Sequence, residues 1–214
     1  MRKTLITVAA AAGLATVAVS SLNAQGGAPG AIDTAAVQAG SYTADAGHSM
    51  VVWGVSHLGF NDYFGIFGDV AGTLSIDPAD ITSASVDVMI PIASVTVPSA
   101  GLKDHLLRAG TDGGAADFFG PAPEAAHFVS TAVHSTGETT AEIMGDLTLN
   151  GVTKPVTVQA ELSGMGTNGM TQKATLGFHG MTSIKRSEFD IAWGIPFGIG
   201  DDVDLDITIA FEKD

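Results

Sequence analysis

The residue types of a hydrolytic triad stand close together early in this chain. Asp45, His48 and Ser49 fall within five positions. A serine nucleophile needs its base on the same side of the backbone, but adjacent strand residues point to opposite faces. The sequence also lacks the Gly-x-Ser-x-Gly elbow of many hydrolases. We therefore expect Asp45 and His48 to form a local hydrogen-bonded turn, and we expect no catalytic site.

The histidines do not form a metal-binding pattern. The six lie at positions 48, 57, 105, 127, 134 and 179, so none are spaced as His-x-His or His-x-x-x-His. Cysteine, the other common zinc ligand, is absent. No glycine-rich segment has the strand-turn-helix context that cradles a phosphate. We expect neither a metal nor a cofactor.

The segment from His48 to His57 predicts a strand with one apolar face. With a period of two, this face carries Ser49, Val51, Trp53, Val55 and His57. Such a wall suits a pocket that accepts an apolar molecule and holds it by a polar end. An ordinary core strand that ends in a hydrogen-bonded histidine has the same pattern. The segment alone leaves both interpretations open.

The same alternation recurs to the end of the chain and predicts about eight strands. The clearest is the last, where Val203, Leu205, Ile207 and Ile209 alternate with polar residues. Asn150-Gly151 predicts a tight hairpin between two others. The other apolar alternations are Val70–Ile76, Val86–Ile90, Phe128–Ala132, Ile143–Leu149, Val156–Leu162 and Thr175–Phe178.

These strands predict a single antiparallel all-β domain over residues 41–214. Residues 99–108 are the one helical candidate, with Ser99 as N-cap and Leu102, Leu106 and Leu107 on one side. A closed barrel and a two-layer sandwich both fit the alternation. Glycines inside the strands favour the barrel, whose sharp coiling needs residues without side chains.

The N-terminus predicts an exported protein, and the overall charge limits its partners. Residues 1–24 have a basic start, an apolar run and small residues up to Ala24, which is typical of a cleaved secretory signal. Residues 25–40 are rich in Gly and Ala and predict a flexible linker. The formal net charge is −14, which disfavours nucleic acid and anionic membranes as partners. No later apolar run is long enough for stable membrane insertion. An uncleaved anchor is the alternative for residues 1–24.

Several sequence blocks, in order, resemble the YceI-like family of exported lipid-binding proteins. They span nearly all of residues 41–214. Three departures concern one rim of the expected pocket: the Gly-rich segment 107–116 is longer than in the family, Asp190 stands where the family tends to have glycine, and the approach to Phe128 carries an extra residue. The blocks are Tyr42, Asp45, His48-Ser49, Val51, Trp53, Val55 and His57-Leu58-Gly59, then Gly65, Phe67 and Gly72, Ile92–Ser94, Lys103–Leu106, Asp117–Phe119, Phe128–Ser130, Gly145–Pro155, Ile184–Ser187 with Phe189, and Gly200–Val203.

The resemblance implies an eight-stranded, lipocalin-like antiparallel barrel with one short helix and an elongated apolar cavity. It implies a lipid ligand such as a polyisoprenoid, a quinone-like lipid or a fatty amide, bound by a periplasmic or secreted protein. Dimers are common for such barrels, so a homodimer is one expected state. Eight strands enclose a space just wide enough for one such chain. The side chains expected to bind the apolar part are Trp53, Val55, Phe67, Leu74, Val88, Phe128 and Phe178.

Two polar residues are candidates for the ligand's head group. His57 ends the face that carries Trp53, and its ring can donate or accept a hydrogen bond. Arg186 could bind a phosphate or polarise a carbonyl, or it could pair with a carboxylate and brace a loop.

The alternative function is a non-enzymatic accessory module for a membrane redox partner, with a barrel filled by its own side chains. An isomerase or hydrolase acting through His57 or Arg186 is a third hypothesis.

Overall fold

The computed structural model describes residues 28–214. This part of the chain forms one antiparallel sheet of ten strands and one α-helix, α1 (Ala100–Leu107). All the predicted strands overlap strands of this sheet. The strands are β1 (Gly40–Ala44), β2 (Met50–His57), β3 (Asn61–Phe67), β4 (Ala71–Ile76), β5 (Ser85–Ile90), β6 (Ala126–Ser135), β7 (Thr140–Leu149), β8 (Val152–Thr167), β9 (Ala174–Lys185) and β10 (Ile199–Lys213).

The sheet closes into a barrel with eight strand positions. A short 3₁₀ turn, Ala46–His48, separates β1 from β2, and residues 68–70 separate β3 from β4, so each of these pairs occupies one position. The last strand, β10, pairs with β9 on one side and with β1 and β2 on the other. Because β1 also pairs with β4, the ring has no open gap. The predicted eight-stranded barrel is confirmed, and the sandwich is excluded.

The alternation in β10 shows how the sequence divides inside from outside. Val203, Leu205 and Ile207 point into the barrel, whereas Asp204 and Asp206 between them are exposed. Successive strand residues face opposite sides of a sheet, so this pattern fixes the register of β10 against its neighbours. A slip by one residue would bury the aspartates.

The connections predicted from short motifs are present. Asn150 and Gly151 have φ angles of 52° and 78° and join β7 to β8 with Leu149 paired to Val152, as in a two-residue hairpin. The hydroxyl of Ser99 accepts a hydrogen bond from the backbone N–H of Leu102 at 3.2 Å and caps α1.

The helix packs one side over the barrel. Leu106 is buried, and both Leu102 and Leu106 line the barrel interior. Leu107, which we predicted on the same side, is half-buried and does not line the interior.

The two ends of the barrel differ in packing. At the end where β1 begins and β10 finishes, buried side chains that include Tyr42, Leu176 and Phe211 form a tight cluster. At the other end, where β2 finishes at His57 and β10 begins, the cover comes from α1 and from the segments 117–119 and 186–199. We call this second end the upper end.

A close backbone approach requires glycine at position 72 in β4. A Cβ built on Gly72 would collide with the Asp87 carbonyl of β5 and would lie 2.8 Å from the Val88 Cα. Gly72→Ala is expected to lower the free energy of unfolding by about 1–3 kcal/mol, because the backbone must shift. Gly68→Ala is the matched control, since nothing lies within 4 Å of its Cβ position. Thermal unfolding of the two variants checks this, and equal melting temperatures would contradict it.

The segment before β1 makes defined contacts with the barrel. Ala31 exchanges two backbone hydrogen bonds of 2.9 Å with Met165, and Val37 packs against the buried cluster that includes Tyr42 and Phe211. Flexibility of residues 25–40, like the domain boundary at residue 41, stays a prediction. The signal peptide predicted for residues 1–24 lies outside the described residues. From residue 28 onward, no helix is long and apolar enough to span a membrane.

Candidate functional site

The barrel is hollow. Its interior contains a cavity of about 510 Å³, within the usual range for pockets that enclose a small molecule. The inward side chains of the strands supply most of the wall, and α1 and the upper-end segments supply the rest. Nearly all are aliphatic or aromatic. The polar exceptions are His57, Tyr63, Ser99, His179, Thr182 and Arg186.

All nine residues predicted to bind ligand line this cavity. The apolar group comes from six different strands, and the barrel brings its members together from positions as far apart as 53 and 178. Their contact with a ligand stays a prediction. The nine predicted residues are Trp53, Val55, His57, Phe67, Leu74, Val88, Phe128, Phe178 and Arg186.

Aromatic rings follow one wall from the upper end into the barrel. His57 and Tyr63 have ring centroids 6.5 Å apart, and the distance from Tyr63 to Trp53 is 6.4 Å. Trp53 lies 6.4 Å from Phe67, which meets Phe119 edge-on at 6.1 Å. These spacings fall in the range of favourable aromatic pairs. We call these five residues the aromatic row.

Two glycines make room for rings in this wall. Gly65 pairs with Trp53 across β2 and β3, and the indole occupies the space where a Cβ would stand. In the same way, a Cβ on Gly145 of β7 would lie 2.5 Å from the Phe128 ring of β6. These strand glycines therefore allow large rings to lie flat against the sheet instead of filling the lumen.

The cavity reaches the surface at the upper end. His57, Ser99 and Trp193 line it and are also exposed. The closed end, by contrast, is filled by the buried cluster around Tyr42 and Phe211. A chain-like molecule would therefore enter between the end of β2, the start of α1 and the 191–199 segment.

A charged cluster ties the parts of the upper-end cover together. His105 of α1 contacts the Phe118 and Trp193 rings, with centroids 5.0 and 4.4 Å away. Its Nε2 lies 2.7 Å from the Asp117 carboxylate, which also accepts a 3.0 Å hydrogen bond from Arg108. The hydrogen bonds from Arg108 and His105 lower the pKa of Asp117. The cluster thus links α1 to the 117–119 segment.

This lowered pKa predicts a pH-dependent stability. An ionised Asp117 contributes stability above its unfolded pKa of about 3.9, and the contribution disappears as the pH falls through the lower folded value. Asp117→Asn is expected to melt below the wild type at pH 6, with the difference shrinking below pH 4. Asp112→Asn, on the exposed turn nearby, is the control. A difference in melting temperature that stays constant with pH would contradict this account.

Arg186 braces the upper-end loop. It is 6% exposed, and its guanidinium donates to four backbone carbonyls of the loop that follows it. The acceptors are Gly200 at 2.7 Å, Trp193 at 2.8 Å, Ile191 at 2.9 Å and Ile199 at 3.3 Å. Desolvation lowers the pKa of Arg186, and the nearby Asp201 charge opposes this shift. The predicted loop brace is present, but its partners are carbonyls and not a carboxylate.

Asp45, His48 and Ser49, which have the residue types of a hydrolytic triad, form the predicted local turn. Asp45 accepts from the Gly47 backbone N–H, and its carboxylate lies 2.7 Å from Nδ1 of His48. The Ser49 hydroxyl is buried, donates to the Asp45 carbonyl and accepts from the Ala210 backbone N–H. The hydroxyl therefore closes the turn on Asp45 and ties it to β10.

Sequence reasoning missed several wall residues. Tyr63 shares a face with Gly65 and Phe67, but Phe64 and Ile66 on the other face are apolar as well, so alternation alone did not show which face is internal. The remaining missed residues include Leu102, Leu106, Phe118, Phe119 and Trp193, which come from the helix and loops. For Leu102 and Leu106, the sequence signal that could have found them is the apolar side of α1.

The fold and the cavity define a class of hollow, single-domain antiparallel barrels that open at one end. Residues 42–211 match the profile of the YceI-like domain family. A UPF0312 protein of Pseudomonas fluorescens is 36% identical over 187 residues, which cover 84% of this chain and 92% of that protein. Another, from Ectopseudomonas mendocina, is 40% identical over 145 residues, covering 67% and 72%. The chain therefore belongs to the YceI-like family.

Solved structures share the architecture. BcnA of Burkholderia cenocepacia has a TM-score of 0.61 and 27% identity, with 75% of this chain and 95% of that chain covered. The YceI protein of Campylobacter jejuni has a TM-score of 0.60 and 28% identity, covering 74% and 90%. A polyisoprenoid binding domain from Saccharophagus degradans, at 16% identity and a TM-score of 0.55, covers 83% and 100% and supports the fold alone.

One departure from the family pattern has a local structural account. Asp190 adopts the left-handed conformation, with φ of 59° and ψ of 26°, at the end of the 3₁₀ turn Arg186–Phe189. Glycine suits this conformation best, and aspartate is one of the few other residues that tolerate it. Aspartate at this position is therefore compatible with the conformation of the loop.

Proposed function

We propose that this protein binds one long apolar lipid in the barrel cavity and carries or sequesters it outside the cytoplasm. The observation that supports this most strongly is the 510 Å³ cavity whose wall is almost wholly hydrophobic. Burial of a hydrocarbon chain releases about 0.8 kcal/mol per CH₂ group. Ten carbons would contribute several kcal/mol after the cost of ordering the chain.

The candidate ligands are polyisoprenoids, quinone-like lipids and fatty amides. Apolar walls discriminate weakly among such chains, since one methylene changes binding only modestly. The head group is therefore the part of the ligand that a polar site can select. His57 stands at the upper end, where a head group would remain after the tail enters the barrel.

The accessory-module alternative depends on a barrel filled by its own side chains. The hollow interior removes this basis, although a partner protein could still dock on the loaded or empty barrel. Our proposal assigns no reaction to the cavity. An isomerase or hydrolase would instead require turnover that disappears in His57→Ala.

Export is the second part of the proposal. It rests on the signal-like residues 1–24. In that setting the barrel would shield a water-insoluble lipid in an aqueous compartment.

Native mass spectrometry of protein purified from cells tests the binding function. We expect a population heavier by one lipid, and organic extraction should release that lipid for identification. Delipidated protein should regain the added mass when it is offered polyprenyl or quinone lipids. Repeated preparations with no bound lipid and no uptake of any offered lipid would contradict the proposal.

A further inference from the structure

Two loops at the upper end present large apolar side chains to solvent beside the cavity mouth. Phe60, in the turn between β2 and β3, is 87% exposed, and Phe197 is 74% exposed. Leu58 and Trp193 are exposed as well. A group of large exposed apolar side chains usually marks a contact surface, because such groups are otherwise left in water. We call these four residues the mouth patch.

The two loops are held against each other at the rim of the cavity. The backbone N–H of Leu58 donates to the Gly198 carbonyl at 3.0 Å, and a Cβ built on Gly198 would lie 3.4 Å from Cδ2 of Leu58. Next to this contact His57 pairs with Ile199, and both of these residues line the cavity. The mouth patch is therefore continuous with the rim through which a lipid would enter.

The backbone holds Phe197 in its exposed position. The 3₁₀ turn Ile195–Phe197 lies between Gly194 and Gly198, which are both left-handed, with φ angles of 80° and 98°. The N–H groups of Phe197 and Ile199 donate to the Gly194 carbonyl at 3.0 and 3.1 Å. A hydrogen-bonded turn therefore presents the Phe197 ring to solvent.

The charge distribution around the mouth patch indicates the kind of surface that it fits. Residues 54–61 and 191–200 contain no Asp, Glu, Lys or Arg, although the formal net charge of the chain is −14. Asp62, Asp190 and Asp201 directly flank these two stretches. An uncharged apolar centre with aromatic rings suits the interface of a bilayer. The acidic flanks and the net charge disfavour a bilayer with anionic head groups.

We propose that the mouth patch docks this protein on a lipid bilayer whose head groups carry no net charge. This inference rests on the proposed lipid-binding function and adds the surface at which the lipid is taken up or delivered. Phe60 and Phe197 enter the head-group region, and the cavity mouth then faces the membrane. A lipid tail passes between bilayer and barrel while its apolar surface stays out of water. The contact is peripheral and reversible, because only the tips of two loops enter the bilayer.

The initial rate of lipid extraction from vesicles tests the docking. Phosphatidylcholine vesicles carry a self-quenched fluorescent polyprenyl lipid, and its removal by the protein relieves the quenching. We expect Phe60→Ser/Phe197→Ser to extract the lipid at least about tenfold more slowly, because two rings that would leave water on docking are removed. Phe60→Trp/Phe197→Trp should keep the wild-type rate, since indole rings are also favoured at the bilayer interface.

Met170→Ser/Met181→Ser is the matched control. Met170 is 93% exposed in the turn between β8 and β9, where the neighbouring Thr171 bonds to Glu212 near the end of β10. It therefore lies at the closed end, and Met181 is exposed on β9. This variant loses apolar surface away from the mouth and should extract lipid at the wild-type rate.

The composition of the vesicles gives a second readout of the docking. Phosphatidylglycerol added to the vesicles should slow extraction by the wild type, because the acidic flanks of the mouth patch then face anionic head groups. High salt should restore the rate, since it screens this repulsion. Faster extraction from the anionic vesicles would overturn the preference for neutral head groups.

Lipid offered from methyl-β-cyclodextrin, without vesicles, separates this inference from the proposed function. The wild type and Phe60→Ser/Phe197→Ser should then bind the lipid with equal affinity. Equal rates of extraction from vesicles by these two proteins, or equal slowing in the methionine control, would overturn the docking while lipid binding stands. A dimer in sedimentation velocity that Phe60→Ser/Phe197→Ser abolishes would assign the mouth patch to a second copy and overturn the docking as well. No uptake by the wild type from cyclodextrin would contradict the proposed function and the docking together.

Discussion

Trp53→Glu is expected to abolish lipid uptake while the barrel remains folded. Trp53 lies on the inner face of β2 in the aromatic row, so a glutamate there places a carboxylate against hydrocarbon. Burial of an unpaired charge costs several kcal/mol, which corresponds to a loss of affinity of about a hundredfold or more. Uptake of a fluorescent polyprenyl lipid by the purified variant measures the effect.

Met89→Glu is the control for this substitution. Met89 lies on β5 next to the cavity residue Val88, but its own side chain is exposed and does not line the cavity. We expect Met89→Glu to take up lipid like the wild type, and circular dichroism should show that both variants keep the fold. Wild-type uptake by a folded Trp53→Glu protein would remove Trp53 from the binding site.

Arg186→Met is expected to destabilise the protein strongly. The substitution removes four hydrogen bonds and leaves four carbonyls, one buried and three partly buried, without their donor. Unsatisfied buried groups cost about 1–3 kcal/mol each, and part of this cost is relieved when the loop relaxes. We expect the free energy of unfolding to fall by about 3–5 kcal/mol, and the melting temperature by about 10 °C.

Lys185→Met is the matched control for Arg186→Met. Lys185 is the preceding residue, and its 2.7 Å ion pair with Asp202 is exposed to solvent. Screening by water makes such pairs weak, so this variant should melt close to the wild type. If Arg186 served mainly to hold a ligand's head group, Arg186→Met would instead lose affinity with little change in melting temperature. That result would contradict the bracing role.

Local patterns were sufficient to predict the strands other than β1 and β3, and the inner faces of β2 and β10. The period of two in β2 identified Trp53 and Val55 as inward, and the aspartates of β10 identified its outer face. These predictions succeeded because side-chain direction in a strand depends only on adjacent residues. Asn150-Gly151 fixed a turn for the same local reason.

Long-range pairing was beyond such patterns. The barrel closes because β1 pairs with the last residues of β10, about 170 positions later, and alternation within each strand is compatible with a sandwich as well. The four acceptors of Arg186 are backbone carbonyls, which carry no signature in the side-chain sequence. Tyr63 was missed because both faces of β3 carry aromatic or aliphatic residues.

The central claim is that the barrel encloses a water-insoluble guest, and a crystal grown with a terminally brominated long-chain lipid tests it most directly. The anomalous signal of bromine locates the end of the chain without reliance on weak hydrocarbon density. The proposed function predicts one bromine peak inside the barrel, near Phe178 and Leu74 and away from the upper end. Bromine found only on the outer surface, with the cavity filled by ordered water, would contradict it.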